Sequence, residues 1–152
     1  MLRWLLDRKF SIELLSEFTE IRLAVEPQAS AFAAERATAE QKQAISDALA
    51  RMEAAERGDD DALLSDIAFH VAVLEASGNR FHSQLKDLVE TALKISIRLT
   101  NQYKGVALAS IADHKKILDA ILAGDGEAAS AASYALVKEA TDLIAKARET
   151  RC

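Results

Sequence analysis

The chain has 152 residues, half of them apolar and 28% charged, with five glycines, one proline, one cysteine and a formal charge of −5. That length supplies one ordinary domain, able to bury its apolar surface without a disulfide or metal staple. The acidic balance argues against this chain gripping a nucleic-acid backbone by itself. The terminal Cys152 excludes an internal disulfide and suits a reducing cytoplasm, and no apolar run reaches the roughly 18 residues of a membrane span.

Few glycines, a single proline and apolar residues recurring at three and four give an all-α reading: an antiparallel bundle of six to seven helices joined by short connections. At the N-terminus Arg3, Asp7, Arg8 and Lys9 interrupt any signal-peptide core, so residues 1–10 read as the end of a linker or the start of the first helix. That helix is expected over residues 11–37. Leu15, Phe18, Arg22 and Val25 form one stripe, with Leu14 and Ile21 beside it, and Pro27 should kink the helix near Val25. The second helix, residues 39–57, begins with Thr38 as N-cap and Gln41 completing a capping box, stops at Gly58, and turns Ile45, Leu49 and Met52 inward. The run Asp59-Asp60-Asp61 complements the macrodipole of a third helix, residues 60–76, in preference to holding a cation. A long fourth helix is expected from residue 79 or 81 to about 103, a fifth over residues 108–122, and a sixth over residues 127–148 with Asp125 as N-cap.

Polar residues on the apolar stripes carry the functional question. Asp66 and His70 share the inner face of the third helix with Leu63, Ile67 and Leu74. Four residues apart, they converge from consecutive turns and can hold a divalent cation or hydrogen-bond one another. His114 stands on the line Ile111, Leu118, Ile121 of the fifth helix. Buried imidazoles need partners for their nitrogens, and a metal shared by Asp66, His70 and His114 would satisfy all three. His82 reads as exposed or as a local cap. Arg22 cannot shed its charge, so burial demands a partner: Glu26 four residues on, or an anionic ligand held bidentately. Arg98, near Ile95 and Leu99, raises the same question. No phosphate loop, zinc-hydrolase helix, nucleophile elbow or di-iron motif is present, so the chain does not read as an enzyme.

Three stretches carry a resemblance. Glu20-Ile21-Arg22 through Glu26-Pro27 and on to Glu35-Arg36 resembles the opening helix of the FCD domain, the C-terminal sensing half of FadR-type GntR transcription regulators. Asp66-Ile67-Ala68-Phe69-His70, followed by Leu74 through Ser77-Gly78-Asn79, resembles the same family. So does Asp113-His114 through Ile121, with Gly124-Asp125 and Glu127 after it. The resemblance implies a helical bundle around a polar cavity that binds a small carboxylate, such as a sugar acid or hydroxy acid. It also implies a cytoplasmic homodimer, with residues 11–151 as the effector-binding and dimerisation domain and DNA bound only through an N-terminal winged helix-turn-helix domain absent from this chain. Metal-binding members use one Asp and three His. Asp66, His70 and His114 match three of these, while the fourth His would fall at or next to Leu136. A divalent metal (Zn, Ni or Mn) and a metal-free pocket in which His70 and His114 hydrogen-bond the effector are therefore both open. Arg22 matches the arginine that engages effector carboxylates, and Asn79 matches the Asn of the Ser-Gly-Asn turn, where it can equally cap the fourth helix. The competing reading is a helical protein-interaction module without a small-molecule site, in which Arg22 pairs with an internal acid.

Overall fold

The computed structural model describes the backbone of residues 12–102 and 110–149 and the side chains of residues 12–95 and 110–149. Among them are seven helices and no strand: α1 Ile12–Arg36, α2 Ala39–Glu56, α3 Ala62–Ala76, α4 Arg80–Gln84, α5 Lys86–Gln102, α6 Ile111–Leu122 and α7 Gly126–Glu149. Local chemistry sets most boundaries. Thr38 and Gln41 exchange the two hydrogen bonds of a capping box. Asp61 accepts from the Leu64 N–H, Ser110 from the Asp113 N–H and Asp125 from the Ala128 N–H, satisfying donors that the first turn of a helix leaves free. The acidic run is thereby accounted for: Asp61 caps α3, Asp60 pairs with Arg51, and Asp59 faces Arg57. Gly78 adopts φ +69, a left-handed backbone that favours glycine, beside the Arg36 side chain.

Two expectations are corrected. The single fourth helix is broken at Leu85, whose N–H turns to the His82 carbonyl three residues back; the short α4 and the longer α5 result. Neither glycine nor proline marks that break. Ile21, expected beside the inner stripe, is 46% exposed, because the buried face of α1 passes instead through Phe18, Thr19, Arg22, Glu26 and Ala29. Helix α1 continues through Pro27, which is itself buried.

Helix α1 packs along α7, α2 against α3, and α6 against α7, with α1 also touching α3, α5 and α6. The α1–α7 pair is antiparallel: Arg148 near the end of α7 reaches Ser16 at the start of α1, while Gly126 at the start of α7 lies against Ala31. One apolar cluster joins Ala33, Ile45, Phe69, Ile117, Ile121 and Leu136. A second joins Ile12, Leu15 and Phe18 to Ala92, Ile95 and Ile144. Along α1 the two are separated by Thr19, Arg22, Glu26 and Ser30, all buried. A band of polar side chains thus crosses the interior, and each member needs a partner there. No helix among the described residues is long and apolar enough to cross a membrane.

Candidate metal and effector site

The buried band on α1 continues onto α3 and α6. Arg22 Nε lies 2.5 Å and Nη2 3.5 Å from the two carboxylate oxygens of Glu26, one turn on. Glu26 Oε1 also lies 2.5 Å from His70 Nδ1. On the far side of that ring, His70 Nε2 is 3.2 Å from Asp66 Oδ1. His114 Nε2 is 3.1 Å from the same oxygen and 3.2 Å from His70 Nε2. His114 Nδ1 is 2.9 Å from the carbonyl oxygen of Ser110, the residue that caps its helix. All five side chains are buried, His114 completely. The buried Phe69 ring packs edge-on to His70 (5.6 Å) and to His114 (5.0 Å), which restrains both imidazole planes.

These contacts place the protons. A carbonyl only accepts, so His114 donates from Nδ1, and His70 donates from Nδ1 to the Glu26 carboxylate. In their neutral forms both rings then turn an Nε2 lone pair toward Asp66 Oδ1. Three electron-rich atoms then lie 3.1–3.2 Å apart. Such an arrangement needs a shared proton or a cation. Without a cation, His70 takes the proton. Burial opposes its charge, but the Glu26 carboxylate and the hydrogen bond to Asp66 outweigh burial and raise its pKa to about 9. Burial would likewise raise the Asp66 and Glu26 carboxyls. The two histidines instead hold Asp66 well below the usual range, and Arg22 with His70 brings Glu26 to about 2.

The donor set also fits a divalent metal. Two imidazole nitrogens and one carboxylate oxygen are ligands that zinc and its neighbours take. Bonds of about 2.0–2.1 Å to such donors in a tetrahedral site separate the ligand atoms by about 3.3–3.4 Å, close to the spacing here. Each histidine is already oriented through its other nitrogen, by Glu26 and by the Ser110 carbonyl, as ligating histidines generally are. Three protein donors leave a coordination position open.

Arg22, Asp66, His70 and His114 are thus brought together, and Asp66, His70 and His114 meet in one triangle. Asn79 is not among their contacts. Its side chain accepts from the Phe81 N–H as the N-cap of α4, and α3 ends six residues, about 9 Å, beyond His70. Leu136 on α7 is buried in the apolar cluster with Phe69 and Ile117. The Arg98 side chain lies outside the described residues. His82 neither caps a helix nor faces open solvent. It is half-buried against Phe32, on which Arg36 also stacks, and burial with the nearby Arg36 charge lowers its pKa. Sequence reasoning paired Glu26 with Arg22 but missed its bond to His70, and it missed Phe69 as the ring support.

The FCD domain family model matches residues 17–139. The chain belongs to the FCD domain family. The galactonate operon transcriptional repressor of Escherichia coli (strain K12) is 30% identical over 142 residues, covering 93% of this chain and 62% of its own length. The HTH-type transcriptional regulator LutR of Bacillus subtilis (strain 168) is 28% identical over 137 residues, covering 87% of this chain and 63% of its own length. A GntR structure from Streptococcus agalactiae superposes with a TM-score of 0.71 at 24% identity, over 86% of this chain and 58% of that one, which supports the shared fold. This FCD domain therefore spans less than two thirds of the relatives' length. Both relatives are named as transcriptional regulators.

Proposed function

We propose that this FCD domain senses a small organic acid through a divalent cation held by Asp66, His70 and His114. In the full regulator, residues 11–151 would form the effector-binding and dimerisation unit of a cytoplasmic homodimer, residues 1–10 the end of the linker, and an N-terminal winged helix-turn-helix domain the DNA contact. The observation that carries the reading is the triangle of Asp66 Oδ1 and the two Nε2 atoms, with the Nδ1 of each ring engaged outside it by Glu26 or the Ser110 carbonyl. A cation there would supply Lewis acidity and an open position for a carboxylate or hydroxyl oxygen. The galactonate repressor among the relatives favours sugar acids as the first class to try.

Arg22 has a different part from the one the family resemblance implied. Glu26 engages its Nε and Nη2, so the guanidinium enters this reading as the counter-charge that holds Glu26 ionised against His70. That internal pair is also what the interaction-module reading expects, and metal content separates the two. Element analysis of the purified chain after zinc supplementation is expected to give one zinc per chain, lost in His70→Ala. A wild-type chain with no stoichiometric metal would leave the metal-free pocket in which His70 and His114 hydrogen-bond the effector, and a metal-free chain whose melting temperature no acid shifts would leave the helical interaction module.

A further inference from the structure

Protein closes most sides of the triangle. The outer nitrogens of His70 and His114 face Glu26 and the Ser110 carbonyl, and the Phe69 ring lies edge-on to both imidazoles. Asp66 is the member of the triangle that borders open space. It lines a cavity of about 200 Å³ between the end of α2 and the starts of α3 and α6, with Met52, Glu56, Ser65 and Ser110 among the other walls. The walls are largely apolar, and the two ionisable groups on them, Glu56 and Asp66, are both acids. Glu56 is exposed and stands in the last turn of α2, where the helix dipole adds negative potential. The cations flanking it in sequence are already matched, Arg51 by Asp60 and Arg57 by Asp59. The N-terminus of α3 across the cavity is capped by the Asp61 carboxylate, and the first turn of α6 carries Asp113.

We propose that this cavity is the port through which a divalent cation reaches the triangle, with Glu56 gathering it at the mouth and Asp66 receiving it. The inference rests on the metal-centre reading above and adds to it the route and a residue outside the ligand set. A narrow cleft lined by one sign of charge raises the local concentration of the opposite ion and speeds its capture without altering the final site.

The test is the rate of zinc exchange on the metal-stripped chain, followed by stopped flow against a colorimetric chelator. Ala55, half-buried on the cavity wall, is replaced by Trp to fill it and by Ser as a size-neutral control. Ala55→Trp is expected to slow zinc uptake and chelator-driven release together, leaving the equilibrium affinity unchanged, while Ala55→Ser behaves as wild type. Glu56→Gln is expected to slow uptake roughly tenfold at low ionic strength with release unchanged, so that affinity falls by the same factor, and both differences should vanish at about 1 M salt. Wild-type exchange rates in a natively helical Ala55→Trp would overturn the port and leave the metal centre standing. Should that variant fail to fold, a wild-type uptake rate in Glu56→Gln at low salt overturns the port by itself. Absence of zinc binding in the wild-type chain overturns the metal centre and the port with it.

Discussion

Glu26 answers two charges at once, Arg22 from the preceding turn of α1 and His70 from α3. Replacing it with Gln removes the charge and keeps the shape, leaving the Arg22 guanidinium buried without its counter-ion. Breaking a buried pair in this way costs about 3–5 kcal/mol, which urea unfolding would measure. The same change gives His70 Nδ1 a neutral amide oxygen in place of the carboxylate, and loss of such an orienting carboxylate typically weakens metal binding about 10–100-fold. Unchanged zinc affinity in Glu26→Gln would show that the carboxylate serves Arg22 alone. The pKa shifts add a pH profile for the metal-stripped chain. His70 titrates near 9 when folded against an ordinary 6.5, so its contribution is full below about 6.5 and is lost as pH rises through about 9. Glu26 is depressed from 4.5 to about 2, so its contribution is full above about 4.5 and is lost as pH falls through about 2. Melting temperatures should therefore peak between those limits and decline on the alkaline side, and saturating zinc should abolish that alkaline decline. A flat alkaline limb without zinc would contradict a charged His70. At this scale the sequence was legible wherever partners are one turn apart: Arg22 with Glu26, and Asp66 with His70. The Glu26–His70 bond arises from the docking of α1 on α3, and no local spacing announces it.

Helix ends decide where the ligand atoms stand. Ser110 does two jobs with different atoms, its side chain capping α6 and its carbonyl accepting from His114 Nδ1. Ser110→Ala should therefore cost about 1 kcal/mol of stability through the lost cap while leaving zinc affinity at the wild-type value, since the carbonyl remains. A parallel fall in affinity, read by chelator competition, would mean that the cap also sets the His114 ring. Elements marked by capping chemistry were legible in the sequence: Thr38 with Gln41, and Asp125, at helix starts, and Gly58, Gly78 and Gly124 at positive φ after helix ends. The break at Leu85 was not, because a single carbonyl shift from the fourth to the third residue back leaves no compositional trace. The exposure of Ile21 was missed for a related reason. A stripe drawn through apolar residues alone slides off a face whose buried positions include Thr19, Arg22 and Glu26.

Across the whole molecule, the balance of charge in the polar band bears on the proposed binding of an acid. Arg22 is matched by Glu26, and protonated His70 lies between Glu26 and Asp66, so the metal-stripped interior offers little uncompensated positive charge to an incoming carboxylate. A divalent cation on the triangle changes that sum and adds an open coordination position. Acid binding should therefore depend on metal. In a thermal-shift series with galactonate, other sugar acids and hydroxy acids, the zinc-loaded chain should gain about 2.7 kcal/mol at a hundredfold excess of ligand over its dissociation constant. For a domain of this size that is roughly 5–10 °C, and the metal-stripped chain should move far less. The same linkage runs in reverse: a saturating acid should tighten zinc binding by the factor by which zinc tightens the acid. Equal shifts with and without zinc would assign the carboxylate to His70, His114 and Arg22 directly. In that case the acid would have to displace Glu26 from Arg22, and Glu26→Gln would strengthen acid binding while weakening the fold. Under the metal-dependent account the same substitution weakens both, so one variant measured with and without zinc decides between them.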